Sequence, residues 1–140
     1  YTRSRHLPSS KLHNCDIDNS LVSEGCILNG LWARNSIIGL RSRIDAGARI
    51  DSSIIMGSDY YESLEEIRTN LAAGRPHIGI GPNTLVKGAI IDKNVRIGRD
   101  VQLINKAAVE IYDSKDGSYF IRDGLIIVPK NSMIPDGSVI

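Results

Sequence analysis

An aliphatic residue returns every six positions along four separate stretches of this chain. The positions are Val22 and Leu28; Ile38, Ile44 and Ile50, with Met56 next in line; Ile91, Ile97 and Leu103; and Val128, Ile134 and Ile140. A period of six fits neither the stripe of an amphipathic helix nor the period of two of a half-buried strand. It is typical of a parallel β-helix, in which each unit supplies one short strand and one corner of a coil. The repeat therefore predicts an all-β solenoid whose repeated aliphatic side chains point inward.

The residue directly after each repeated aliphatic residue belongs to a type that favours turns. These residues are Gly39, Asp45, Asp51, Asp92, Gly98, Pro129 and Pro135. Glycine and aspartate suit tight turns, and proline is tolerated where no backbone N–H is needed. We therefore predict corners at these positions, with Pro129 and Pro135 at equivalent corners of the coil.

Two segments interrupt the repeat, and each carries its own structural signal. In DYYESLEEIRTNLAAGRPH, Ser63 and Glu66 have the spacing of a capping box. The residues that follow are typical of a short helix: Leu64, Ile67 and Leu71 on one face, then Gly74 and Pro76 as stop signals. In NKAAVEIYDSKDGSYFIRDG, Asp116-Gly117 separates two β-prone runs, which predicts a hairpin-like excursion.

Charge and cysteine content exclude several classes of partner. Seventeen Lys and Arg residues against sixteen Asp and Glu residues give a formal net charge of +1, so no global field favours nucleic acid or membrane as a partner. No apolar run approaches the ~20 residues of a membrane span. Cys15 and Cys26 lack the spacing of a zinc site and are too few for a disulfide framework, which favours a reducing compartment. We predict no metal site in this segment.

The chain opens with a polar, proline-containing stretch, YTRSRHLPSSK, rather than with Met. We interpret residues 1–12 as a linker from a missing N-terminal domain and residues 13–140 as the β-helix domain.

No catalytic motif is present in the sequence. The run GIGPNT from Gly79 to Thr84 lacks the third glycine of a dinucleotide-binding loop, and a tight corner is the better interpretation. His77, beside the predicted helix, is the one candidate for a general base, because hexapeptide-repeat acyltransferases place a histidine near a loop between neighbouring prisms. The alternative is an exposed loop histidine, since the sequence supplies no second group to orient it.

Two lysines raise the possibility of an anion site. Lys93 and Lys130 each stand two positions after an inward aliphatic residue, so both should project outward at a corner. They are either ordinary solvated lysines or, if their corners lie together, part of a local phosphate site that an arginine would complete. Periodicity alone does not decide between the two.

Several motifs, in order, resemble one family. SRHLPSSKL, SEGC, SIIGLRSRI, IIMGSDYYES, HIGIGPNT, AIIDKNVRIG, VQLINK and NSMIPDGSVI are similar to the C-terminal domain of glucose-1-phosphate adenylyltransferase of the cyanobacterial and plant type. The resemblance implies a left-handed parallel β-helix that serves regulation and tetramer assembly. It also implies that the intact protein converts ATP and glucose 1-phosphate to ADP-glucose and pyrophosphate with Mg²⁺. ATP and Mg²⁺ would bind the missing N-terminal catalytic domain, and this segment would bind no cofactor.

The same resemblance implies an effector site in this domain, at which 3-phosphoglycerate activates and phosphate inhibits. The matching residues are Arg5, Asp92, Lys93 and Lys130. The expected partners are the protein's own catalytic domain, the subunits of a homo- or heterotetramer, and small anionic effectors. The expected location is the plastid stroma or the cytoplasm of a cyanobacterium.

The chain departs from the family pattern at three positions. Ser114 replaces an arginine, Asp123 adds a negative charge before the last lysine motif, and Pro129 precedes Lys130. These changes question the choice and strength of effector rather than the fold. Two other functions stay open at this point: a hexapeptide-repeat acyltransferase that uses His77, and a purely structural oligomerisation module.

Overall fold

The computed structural model describes residues 8–140, which form eighteen short strands and one helix. The strands of the first half are β1 (Lys11–His13), β2 (Asp16–Asp18), β3 (Leu21–Val22), β4 (Ile27–Asn29), β5 (Trp32–Arg34), β6 (Ile37–Ile38), β7 (Arg43–Ile44), β8 (Arg49–Asp51) and β9 (Ile54–Ile55). After helix α1 (Leu64–Ala72) come β10 (Gly79–Ile80), β11 (Leu85–Lys87), β12 (Ala89–Ile91), β13 (Arg96–Ile97), β14 (Gln102–Leu103), β15 (Ile111–Asp113), β16 (Phe120–Arg122), β17 (Leu125–Val128) and β18 (Met133–Ile134).

Every third strand joins the same sheet, so the chain winds around three faces. Sheet A has the order β1-β4-β7-β10-β13-β18, and sheet B contains β2, β5, β8, β11 and β14. Sheet C contains β3, β6, β9, β12 and β17, with β16 and β15 added antiparallel at its end. All pairs between coils are parallel, and the arrangement confirms the predicted left-handed parallel β-helix. The first strand begins at Lys11, within the segment interpreted as a linker.

The core is a set of aliphatic columns, one on the inside of each face. On sheet A, Leu28 pairs with Ile44, Ile44 with Ile80, Ile80 with Ile97, and Ile97 with Ile134. All five side chains are buried. Burying one such side chain fully contributes roughly 1.5–3 kcal/mol, so the column holds successive coils in register.

The six-residue prediction is confirmed for most of the repeated positions and wrong at one. The inward residue of β9 is the buried Ile55, whereas Met56 is 41% exposed. The inward residues Ile50 and Ile55 are five positions apart rather than six, because the corner after β8 is one residue shorter than the repeat requires.

The conformation of the corners also differs from the prediction. Left-handed backbone appears two or three positions after the inward residue rather than directly after it, as at Arg41, Asn94 and Asn131, with φ of 56°, 59° and 64°. Asparagine tolerates this region better than most residues, so the residue type at Asn94 and Asn131 fits the left-handed conformation.

Both excursions have the predicted secondary structure. Helix α1 begins at the N-cap Ser63, whose capping box with Glu66 is complete, and ends just before Gly74. The helix buries only Ile67; Leu64 and Leu71 are exposed rather than packed on one face. Strands β15 and β16 form the predicted hairpin. No helix within residues 8–140 is long and apolar enough to span a membrane.

Candidate functional site

The corners that join sheet C to sheet A stack along one edge of the solenoid. The Ser58 N–H donates to the Leu40 carbonyl over 2.9 Å, and the Asn94 N–H donates to the Gly57 carbonyl over 3.1 Å. The Asn131 N–H donates in turn to the Lys93 carbonyl over 3.1 Å. Lys93 and Lys130 therefore occupy equivalent positions in adjacent coils, whose backbones lie about 4.8 Å apart.

The two lysine side chains converge on a single carboxylate. The Lys93 Nζ lies 3.3 Å from Asp59 Oδ1, and the Lys130 Nζ lies 3.3 Å from Asp59 Oδ2. Both lysine side chains are about half exposed. Two ammonium groups on adjacent coils repel each other, and the shared carboxylate compensates this repulsion. We call Asp59, Lys93, Asn94 and Lys130 the lysine corner.

Asn94 fixes the position of Asp59 through two hydrogen bonds. The Asp59 N–H donates to Asn94 Oδ1 over 2.9 Å, and the buried Asn94 Nδ2 donates to Asp59 Oδ2 over 3.0 Å. The hydrogen bond from Asn94, followed by those from Lys93 and Lys130, holds the pKa of Asp59 below its usual range. Asp59 is therefore ionised at neutral pH, and its attraction to the lysines is lost only as the pH falls through this lowered pKa.

The other two predicted site residues have different positions. Asp92 Oδ1 accepts a hydrogen bond of 2.7 Å from the Lys93 N–H, so Asp92 shapes the turn that presents Lys93. Across residues 8–140, Asp92 forms no ion pair with a lysine or arginine. Arg5 lies outside the described residues.

A buried carboxylate holds the first excursion, residues 59–78, against the solenoid. The side chain of Glu62 is 4% exposed and accepts hydrogen bonds from the Arg96 guanidinium (2.9 Å), the Asn70 amide (3.0 Å) and the Ile78 N–H. The same Arg96 nitrogen also donates to the Pro76 carbonyl over 2.9 Å. Both ends of the excursion thus meet at one ion pair, and the excursion leaves the solenoid beside the lysine corner.

His77 is buried, so the interpretation of an exposed loop histidine is wrong. Its Nε2 lies 2.7 Å from Asp45 Oδ2, and its Nδ1 lies 2.7 Å from the Ile78 carbonyl oxygen. Asp45 is the orienting group that the sequence did not reveal. Both ring nitrogens face oxygen acceptors, so neither is free to take a proton from a substrate, and the general-base hypothesis loses its support.

The departures from the family pattern lie in the second excursion, residues 104–124, and beyond its end. Ser114 closes the hairpin turn, since its Oγ accepts from the Tyr119 N–H and donates to Asp116 Oδ1. Asp123 has a φ of 53° in the turn between β16 and β17. The four-residue strand β17 lies between the turn that contains Asp123 and the corner that contains Lys130. The carboxylate paired with Lys130 is that of Asp59.

No group of three or more His, Cys, Asp or Glu side chains in the described part of the chain could hold a metal ion. The lysine corner brings together two ammonium groups, a carboxamide and a carboxylate that pairs with all three.

The sequence predicted that Lys93 and Lys130 project from corners, as they do, but it gave no indication that Asp59 and Asn94 lie beside them. The DYY segment gave no sign that its aspartate turns back to the solenoid. A comparison with family models finds that residues 5–139 match the GLGC left-handed parallel beta-helix domain.

Proposed function

Since this chain belongs to the family of GLGC left-handed parallel beta-helix domains, the C-terminal domain of glucose-1-phosphate adenylyltransferases, we propose that it regulates such an enzyme by binding anionic effectors. The intact enzyme would convert ATP and glucose 1-phosphate to ADP-glucose and pyrophosphate with Mg²⁺. A catalytic domain outside this chain would carry out that reaction and bind ATP and Mg²⁺.

The observation that carries the proposal is the convergence of Lys93 and Lys130 on the two oxygens of one carboxylate, each at 3.3 Å. A carboxylate between two ammonium groups is a model for a bound phosphate, whose oxygens make the same charge-assisted hydrogen bonds. With a net charge of +1 there is no global positive field, so a small anion would be held by a local pair of cations such as this one.

The effectors would be 3-phosphoglycerate as activator and phosphate as inhibitor. Both would place a phosphate between Lys93 and Lys130, and only the phosphorylated acid offers a second negative group for a further contact. Arg5 and residues of the catalytic domain would supply that contact, and Asp92 would keep the Lys93 turn in shape. Opposite effects at one site require only a coupling of roughly 1–3 kcal/mol between effector and substrate binding.

A ladder of exposed aliphatic side chains supports an additional role in assembly. Leu21, Ile37 and Ile54 pair in register on the outer surface of sheet C, and all three are exposed. Covering this ladder would remove apolar surface from water. We propose that this ladder packs against the catalytic domain or against other subunits of a tetramer. The enzyme would work in a plastid or in a cyanobacterial cytoplasm.

The test is pyrophosphate release by the full-length protein, with 3-phosphoglycerate and phosphate titrated separately. Replacing both Lys93 and Lys130 by alanine should raise the activator concentration for half-maximal response at least tenfold, with turnover in the absence of activator unchanged. Lys87→Ala is the matched control, because Lys87 is an exposed lysine on sheet B. An unchanged activator response in the double variant, with the tetramer intact, would leave an assembly function alone.

A further inference from the structure

The Asp59 carboxylate is not what anchors the backbone where the first excursion leaves the solenoid. The Asp59 backbone N–H is held by Asn94 Oδ1 whatever the side chain, so the exit of the excursion stays anchored without the carboxylate. The carboxylate oxygens instead point at the two lysine nitrogens, one oxygen to each. In the described residues, Asp59 is the only carboxylate paired with either lysine.

We propose that Asp59 is a built-in competitor, an intramolecular anion that occupies the lysine corner in the ligand-free protein and must be displaced when a phosphate binds. This inference rests on the proposed function, because it takes the lysine corner to be the anion site. In this inference, Asp59 sets both the affinity of the site for anions and the negative charge that a ligand needs in order to bind.

The geometry makes displacement necessary. A phosphate within hydrogen-bonding distance of both ammonium groups would take up the space where the Asp59 oxygens now lie. If the carboxylate stayed beside it, the two anions would repel each other across a few ångströms. The Asp59 side chain is 42% exposed, so it can rotate towards solvent while Asn94 Oδ1 still holds its backbone N–H. The rotation breaks the hydrogen bond from Asn94 Nδ2 to Asp59 Oδ2, and a phosphate oxygen in the same place would accept it instead.

The exchange selects ligands by charge. A monoanion that replaces the carboxylate trades one negative charge for another and gains little. A phosphate monoester near neutral pH carries a charge of about −1.5 to −2 and gains additional attraction to both lysines. The site should therefore prefer phosphate monoesters and inorganic phosphate to phosphodiesters, and Asp59 should be the origin of that preference.

The experiment compares Asp59→Asn with the unchanged full-length protein, measuring binding by isothermal titration calorimetry at pH 7.5 and constant ionic strength. The probes are inorganic phosphate and the monoanion dimethyl phosphate. Asparagine keeps the size of the side chain and can still accept from Asn94. Asp100→Asn is the matched control, since Asp100 is an exposed corner aspartate paired with Arg99 at 3.6 Å.

We expect Asp59→Asn to bind inorganic phosphate about 2- to 25-fold more tightly, the product of two exposed ion pairs that each contribute roughly 1.4- to 5-fold. Dimethyl phosphate should gain measurable binding only in this variant. Asp59→Glu, which restores the charge, should return both probes towards the original behaviour, and Asp100→Asn should change neither.

The outcomes separate this inference from the proposed function. If the unchanged protein binds phosphate and Lys93→Ala weakens it, but Asp59→Asn binds no more tightly, the competitor is refuted and the effector site stands. If neither the unchanged protein nor Asp59→Asn binds phosphate, both proposals fail. Phosphate binding that appears only in Asp59→Asn, and is lost again when Lys93 and Lys130 are also replaced by alanine, supports the competitor.

Discussion

Removing the Glu62 carboxylate tests whether one buried ion pair holds the first excursion against the solenoid. In Glu62→Ala, the Arg96 guanidinium, the Asn70 amide and the Ile78 N–H lose their shared acceptor. Removing one partner of a buried pair costs about 3–5 kcal/mol, because the other charge stays buried without compensation. The Arg96 side chain is 19% exposed and retains the Pro76 carbonyl as a hydrogen-bond acceptor. The expected loss of stability is therefore near the lower end of that range, at about 3 kcal/mol.

The cost should appear locally rather than across the whole molecule. The excursion contributes two buried apolar residues, Ile67 and Ile78, whereas the coils retain their continuous aliphatic columns. The opening equilibrium of residues 59–78 should therefore shift by about a hundredfold, since each 1.4 kcal/mol is a factor of ten. Hydrogen–deuterium exchange should report this change at the Asp59 amide, whose acceptor Asn94 Oδ1 is not altered by the substitution, while amides in β11 and β13 keep their protection.

Glu65→Ala is the matched control, because Glu65 is an exposed glutamate in the first turn of α1 and its loss should cost less than about 0.5 kcal/mol. Combining Glu62→Ala with Arg96→Met should recover part of the loss, since no charge is then left buried. If the Asp59 amide of Glu62→Ala exchanges within threefold of the original rate, the ion pair does not anchor the excursion and the reasoning is refuted.

Two further predictions concern packing and reactivity. A Cβ on Gly79, whose φ is 119°, would lie 2.1 Å from the Arg43 carbonyl oxygen, so Gly79→Ala should lower the free energy of unfolding by about 2 kcal/mol or more in urea titration. A loss below about 0.5 kcal/mol would contradict this close approach. Burial raises the pKa of the Cys26 thiol, so at pH 8 iodoacetamide should modify the partly exposed Cys15 in the native protein and Cys26 only after unfolding. Equal rates at the two thiols in the native protein would contradict the assigned burial.

The sequence predicted the solenoid because its period reports directly on the inward columns. Ile44, Ile97 and Ile134 are each in the predicted inward position and pair through neighbouring coils of sheet A. The error at Met56 arose because one corner is a residue shorter, which a fixed period does not reveal. Helix α1 was predictable from its capping box, which is a local signal.

The site was only half predictable. Projection of Lys93 and Lys130 from the corners follows from the repeat, but their convergence on Asp59 depends on how coils stack and how an excursion leaves the edge. Asp59 and Asn94 are distant in sequence, and no local pattern links them. The burial of His77 against Asp45 is equally a product of tertiary packing.

The second excursion leaves the solenoid after β14 and returns at β17 within the same coil. The number of residues between Lys93 and Lys130 therefore does not determine the distance between their side-chain nitrogens. Lengthening or shortening the β15–β16 hairpin would leave the charge geometry as it is, whereas inserting one residue between β12 and β13 would rotate Lys93 away from its partner. Changes of length in the hairpin therefore leave the lysine corner in place, so the hairpin is the natural place for domains of this family to differ in length.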